Sequence, residues 1–189
     1  MITKLQTHTI ADWEAMPHGD GNRYEIIEGE LFVSCSPGLT HERVLVRLIL
    51  LIGNFLETNP IGEIVANVGV ILSDSSAVIP DIVVFLKEQY DTIITNDRLT
   101  GPPALVIEIL SPGSANIRRD RVTKLQLYAK YRVAEYWIVD PLNMALERYV
   151  GKGPSLVFLE TLRDEDTLST TTLPGFSCKV SEIFRPIGK

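Results

Sequence analysis

The sequence predicts a mixed α/β (α+β) fold, with a central mixed sheet flanked by helices and a β-hairpin near the N-terminus. Three observations carry this. Strand-like runs and helix-like runs follow one another in the order strands, helix, strands, helix, strands. One run, residues 104–110, is apolar enough for a central strand. No repeat, low-complexity stretch or linker divides the 189 residues, so a single domain over 1–189 is expected, and 45% hydrophobic with 22% charged residues excludes global disorder.

The elements follow in order. Residues 11–16 form a short helix capped by Thr9 and stopped by Pro17. Residues 24–27 and 30–33 pair as a tight hairpin, with Gly29 supplying positive φ at the turn. After the Pro37-Gly38 break, Thr40 is the expected cap of a helix running to about Asn59, whose buried stripe is Val44, Leu45, Leu48, Leu51, Ile52 and Phe55. Residues 63–72 and 78–86 read as two strands around a Ser73-Asp74-Ser75-Ser76 turn, and 87–103 as a long polar connection. The strand 104–110 is halted by Ser111-Pro112-Gly113-Ser114, and a basic helix over 118–131 follows. Residues 135–139 and 144–150 form a further strand pair around Asp140-Pro141. A last hairpin is expected over 156–171 around residues 163–166, with a closing turn at 179–184.

Composition narrows the function. Cys35 and Cys178 lie far apart without CxxC spacing, which argues against a zinc ribbon or disulfide scaffold. The first eight residues carry no apolar leader, and the most apolar stretch, 44–56, is too short for a bilayer and contains Arg47; a cytoplasmic protein without a membrane partner is expected. The net charge of −6 opposes indiscriminate binding to polyanions. Between Arg118 and Arg132, however, six basic residues stand against Asp120 alone, so this segment carries +5 and the remainder −11. Arg118, Arg119 and Arg121 are therefore candidate phosphate contacts, although a solvated helix face is the commoner reading of such a run.

Three positions break the pattern. Glu108 sits between Ile107 and Ile109 in the most apolar strand, where an ionised carboxylate must pair, bind a metal or reach an open end. Pro80-Asp81 interrupts a strand, and a bulge there would aim Asp81 into a site. Asp120, Lys124 and Tyr128, at i, i+4 and i+8, share one helix face. Two carboxylates on neighbouring strands, with a backbone carbonyl such as that of Ile109, suit Mg²⁺, or Mn²⁺ in its place. With Lys124 to orient a nucleophile or offset charge, the set Asp81, Glu108 and Lys124 fits phosphodiester hydrolysis without an organic cofactor.

The motifs Tyr24-Glu25-Ile26-Ile27-Glu28-Gly29-Glu30-Leu31, His41, Pro80-Asp81, Val106-Ile107-Glu108-Ile109-Leu110-Ser111-Pro112, Arg119-Asp120 with Lys124 and Tyr128, and Glu135-Tyr136-Trp137-Ile138-Val139-Asp140-Pro141 occur in this order. The combination resembles the Uma2 family of restriction-endonuclease-like proteins over about residues 13–184. The resemblance implies a PD-(D/E)XK nuclease core, with Asp81 as the PD aspartate and Glu108 as the second acid. The lysine of that motif is missing, since Leu110 stands two residues after Glu108, and its role passes to Lys124 on the next helix. Glu30 and His41 also fall at motif positions as auxiliary residues, and a homodimer acting on DNA is implied. A catalytically weak nucleic-acid-binding or assembly module on the same fold remains the alternative, with a carboxylate-pair sugar hydrolase third.

Overall fold

The computed structural model describes residues 7–17 and 19–185; residues 1–6, where most of the expected leaderless start falls, lie outside them. In α1 (Ile10–Glu14) the Asp12 carboxylate accepts the backbone N–H of Thr9 at 2.7 Å and its hydroxyl at 3.1 Å, closing the first turn. Strands β1 (Asn22–Ile27) and β2 (Glu30–Cys35) pair antiparallel through a two-residue turn. Glu28 and Gly29 both adopt positive φ, 52° and 82°, the twist a tight hairpin needs. Helix α2 (Leu39–Thr58) starts two residues earlier than the Thr40 cap implied: Gly38 is the cap, and it contributes no side-chain hydrogen bond.

The two strands expected over 63–72 and 78–86 form one long hairpin, but each is broken. β3 (Gly62–Ala66) pairs with β6 (Ile82–Leu86), and β4 (Val70–Ser73) with β5 (Ser76–Val78). The break falls where Asn67 meets Asp81: the Asn67 N–H still reaches the Asp81 carbonyl at 3.1 Å, but Asn67 is left-handed at φ 53° and Pro80 has no N–H for the ladder. The hairpin therefore starts in one sheet and ends in another.

The stretch 87–103 is also more ordered than a polar connection. It holds a 3₁₀ turn (Lys87–Gln89), α3 (Tyr90–Ile93) and the small hairpin β7 (Ile94–Thr95) and β8 (Arg98–Leu99), anchored by buried Ile93 and Leu99. Beyond β9 (Leu105–Ile109) the basic helix starts earlier than expected, with α4 (Ser114–Arg118), a π-helical stretch over Arg119–Lys124, and α5 (Leu125–Lys130). β10 (Glu135–Asp140) and β11 (Ala145–Lys152) follow as expected. The last hairpin does not form as drawn. β12 (Ser155–Arg163) returns along β11, whereas β13 (Thr167–Ser169) pairs with β14 (Ser177–Lys179), ahead of α6 (Val180–Phe184). Arg163 to Asp166 thus turn the chain away from β12 instead of folding it back.

Two six-stranded sheets result, one ordered β2-β1-β5-β4-β8-β7 and the other β12-β11-β10-β9-β6-β3. The second is mixed, because β9 is parallel to β10 and antiparallel to β6. Its central strands, β6, β9 and β10, alternate. Leu105, Ile107 and Ile109 of β9, with Ile82, Val84, Trp137 and Val139, join the cluster packed on α2. Val106, Val83, Tyr136 and Ile138 join the opposite cluster with Leu127 and Tyr128 of α5. Glu108 points to this second side by the same alternation. Among the described residues no helix is long and apolar enough to cross a membrane, and Cys35 and Cys178 are both free thiols.

Candidate active site

Asp81 and Glu108 come together because the β6–β9 register, with Ile82 opposite Ile107, sets Asp81 across from Glu108 at the strand end. Asp81 is almost fully buried and held on three sides. Its Oδ1 accepts from Arg23 Nη1 at 2.8 Å, and its Oδ2 accepts from the Ile109 N–H at 2.8 Å and lies 3.0 Å from His41 Nε2. Burial pushes its carboxyl up, but the hydrogen bond and charge of His41, with the charge of Arg23, outweigh it and hold Asp81 well below the usual carboxylate range. His41 moves the opposite way: burial lowers it, and the Asp81 bond and charge more than offset that, so it keeps its proton to higher pH than a free imidazole.

Glu108 has other partners. Lys124 Nζ and the Tyr128 hydroxyl both donate to its Oε1, each at 2.8 Å. Burial, opposed by Lys124 and reinforced by Asp81, Asp120 and Glu25, pushes its carboxyl up to about 8. Lys124 is fully buried, and although burial pulls its ammonium down, Glu108, Glu25 and Asp120 raise it beyond the ordinary lysine value. Tyr128 is pushed well above the ordinary phenol by burial and by the Glu108 charge.

Lys124 is shared. Its Nζ is also 2.9 Å from Glu25 Oε1, which in addition accepts the Ile79 N–H at 2.8 Å. Glu25 and Arg23 are the site residues that the sequence reading passed over. The signal was present: Glu25, between Tyr24 and Ile26-Ile27, is an acid inside an apolar strand, the pattern that singled out Glu108. Arg23, two residues away on the same face, ties the site together, with Nη1 3.3 Å from the Ile79 carbonyl and Nη2 2.5 Å from Asn67 Oδ1. Glu25 Oε2 and His41 Nδ1 are buried without a hydrogen-bond partner among the described residues.

A cavity of about 360 Å³ opens over this end of the sheet, lined among others by Arg23, His41, Asp81, Glu108, Ile109 and Arg119. Lys124 does not line it. The basic run is dispersed. Arg118 is exposed, Arg119 faces the cavity, and Arg121 turns away to Glu147 at 2.6 Å and Asp140 at 3.3 Å. Lys130 pairs with Glu28 at the surface. Asp120 is buried at 3.2 Å from Arg119 Nε; burial raises its carboxyl against the opposing charges of Lys124 and Arg119. Glu30 is exposed at the start of β2 and does not reach the cavity. Glu135, another motif acid, is a structural pin, buried against Arg148 at 2.8 Å, the Trp137 indole N–H at 2.7 Å and the hydroxyls of Thr170 and Thr172.

A mixed sheet with helices against both faces, carrying two acids at the end of adjacent strands, defines the class as an α+β protein with an acidic site at one end of its central sheet. The chain belongs to the Uma2 family, whose model, described as "Putative restriction endonuclease", matches residues 10–181. The crystal structure of a protein from Anabaena variabilis, described as a "putative nuclease belonging to DUF820", superposes with a TM-score of 0.76 at 17% identity, over 93% of this chain and 97% of that one. At this identity the likeness is one of fold. Comparison with curated proteins gives no match.

Proposed function

We propose that the protein is a divalent-cation-dependent endonuclease that hydrolyses phosphodiester bonds of DNA, with Asp81 and Glu108 as its metal carboxylates. The observation that carries this is that both carboxylates, with Ile109, open onto one cavity that also presents Arg23, His41 and Arg119. The donors are oxygens. Among the described residues no group of three or more His, Cys, Asp or Glu side chains is set to hold a metal, which disfavours a closed zinc site. Two carboxylates and a backbone carbonyl suffice for Mg²⁺, which keeps several waters, or for Mn²⁺. Asp81, Glu108 and the Ile109 carbonyl would hold the ion, and Asp81 would exchange one of its present partners for it. When bound, such an ion lowers the pKa of a water and polarises a phosphoryl oxygen.

The chain's own residues do the rest. Lys124 and Tyr128 act through Glu108: both donate to Oε1 and fix the carboxylate. Glu25 in turn holds Lys124, so this lysine is a positioning residue. In the net reaction a water oxygen bonds to phosphorus, one ester P–O bond breaks, and the departing oxygen takes a proton. A homodimer, with one site for each strand of a duplex, is part of the proposal.

The second reading, a nucleic-acid-binding module without turnover, is favoured by one observation: both oxygens of Asp81 are already engaged within the protein. Supercoiled plasmid incubated at low salt with Mg²⁺, Mn²⁺ or EDTA separates the two. Nicking by wild type that is lost in EDTA, in Asp81→Ala and in Glu108→Ala, with unchanged circular dichroism, supports the nuclease. Salt-dependent binding without cleavage under any ion, on duplex or single strands, supports the module.

A further inference from the structure

We infer that Arg119, and not Lys124, is the cation that contacts the phosphate in the cavity, by a two-pronged grip from Nη1 and Nη2. The inference rests on the nuclease reading for the identity of the ligand as a phosphodiester. Three observations point to it. Lys124 is fully buried, spends its ammonium on Glu25 and Glu108, and does not reach the cavity wall. Arg23 lines the cavity, but its Nη1 is taken by Asp81 and the Ile79 carbonyl, and its Nη2 by Asn67. Arg119 lines the same cavity, and its only hydrogen bond among the described residues runs from Nε to Asp120 Oδ1 at 3.2 Å.

Among the described residues both Nη groups of Arg119 are thus left without a hydrogen-bond partner, and the side chain keeps 14% of its surface open to solvent. A guanidinium presents its donors as a planar fork that matches two oxygens of a phosphate. Asp120 sits behind the fork and fixes it through Nε, and the Asp120 carbonyl is itself held by the Tyr136 hydroxyl at 3.0 Å. The backbone supplies the placement. The π-helical stretch starts at Arg119 and ends at Lys124, and the longer turn directs Arg119 into the cavity while Asp120 and Lys124 remain buried.

The test uses the full chain, with Arg119→Gln, Arg119→Lys and Arg119→Ala beside wild type and a Lys152→Gln control on the exposed hairpin tip. Binding of a fluorescent 12-nucleotide single strand is read by anisotropy in EDTA, and plasmid nicking with Mg²⁺. The inference expects Arg119→Gln to bind at least tenfold more weakly and to nick at least a hundredfold more slowly. Arg119→Lys should fall between, because it keeps the charge and loses the fork. Millimolar guanidinium should restore part of the nicking by Arg119→Ala, which a merely structural arginine would not allow. Arg119→Gln within threefold of wild type in binding overturns the inference. If wild type binds but never nicks, the nuclease reading fails while the anisotropy comparison still decides the role of Arg119. If wild type neither binds nor nicks, both fall.

Discussion

Replacing Lys124 by Met tests whether the buried cation holds the site together. Met keeps most of the side-chain volume and removes the ammonium, so the packing loss is small. What remains is Glu108 and Glu25, both buried to within 2% of full enclosure and each deprived of an ion-pair partner at 2.8–2.9 Å. Breaking a buried pair from one side costs about 3–5 kcal/mol, because the stranded charge must be protonated or hydrated in place. For a protein of this size that corresponds to a fall in Tm of roughly 6–20 °C. The cost should depend on pH. With Lys124 gone the folded-state pKa of Glu108 rises further above its unfolded value. The part of the deficit that Glu108 carries is then smallest below about pH 7, where its carboxyl is neutral in both folded proteins, and grows as pH rises through about 8, where the wild-type carboxyl ionises beside Lys124. Urea unfolding at pH 6 and pH 9 measures both. Adding Glu108→Gln and Glu25→Gln to Lys124→Met should restore most of the loss. A Lys124→Met variant that loses under 1 kcal/mol at pH 9 would refute the reasoning, because Lys124 would then not be compensating the buried acids.

Three further outcomes are expected. The stability advantage of wild type over Glu108→Gln should shrink as pH rises from about 4.5 through about 8, because a carboxyl raised in the folded state stabilises when protonated and loses that contribution on ionising; urea midpoints across this range check the slope. Asp81→Asn should lower the pKa of His41, since the Asp81 bond and charge are what outweigh its burial; with only three histidines in the chain, NMR titration of the imidazole signals reads this directly. Gly69→Ala should destabilise by about 1–3 kcal/mol, because a Cβ there would lie 2.6 Å from the Trp13 ring, whose indole N–H is fixed to the Tyr24 carbonyl; thermal melts and a changed tryptophan emission check it.

Where the chain announced its structure, it did so through local chemistry. The hairpin around Glu28-Gly29, the long amphipathic helix and the apolar strand around Glu108 were legible because period and turn residues are local properties. Asp81, Glu108, Lys124 and Tyr128 were legible as breaks in pattern, and their convergence follows from strand register and a shared helix face. The broken hairpin was not, since residues 63–72 read as one strand and only the pairing of Asn67 with Asp81 shows where it crosses between sheets. Nor was the division of labour among the basic residues. Arg119, Arg121 and Lys124 look alike in a helical run, and their different destinations depend on the π-helical stretch and on acids far away in sequence, Glu25, Glu108 and Glu147. Glu30 carried a motif signal but stays at the surface.

The central claim is that Asp81 and Glu108 together hold a divalent cation, and direct binding of Mn²⁺ followed by electron paramagnetic resonance tests it without assuming any substrate. The account predicts a bound signal for wild type that Mg²⁺ displaces and that disappears in both Asp81→Ala and Glu108→Ala while circular dichroism stays unchanged. Mn²⁺ bound equally by all three proteins, or by none of them up to millimolar concentration, would contradict it.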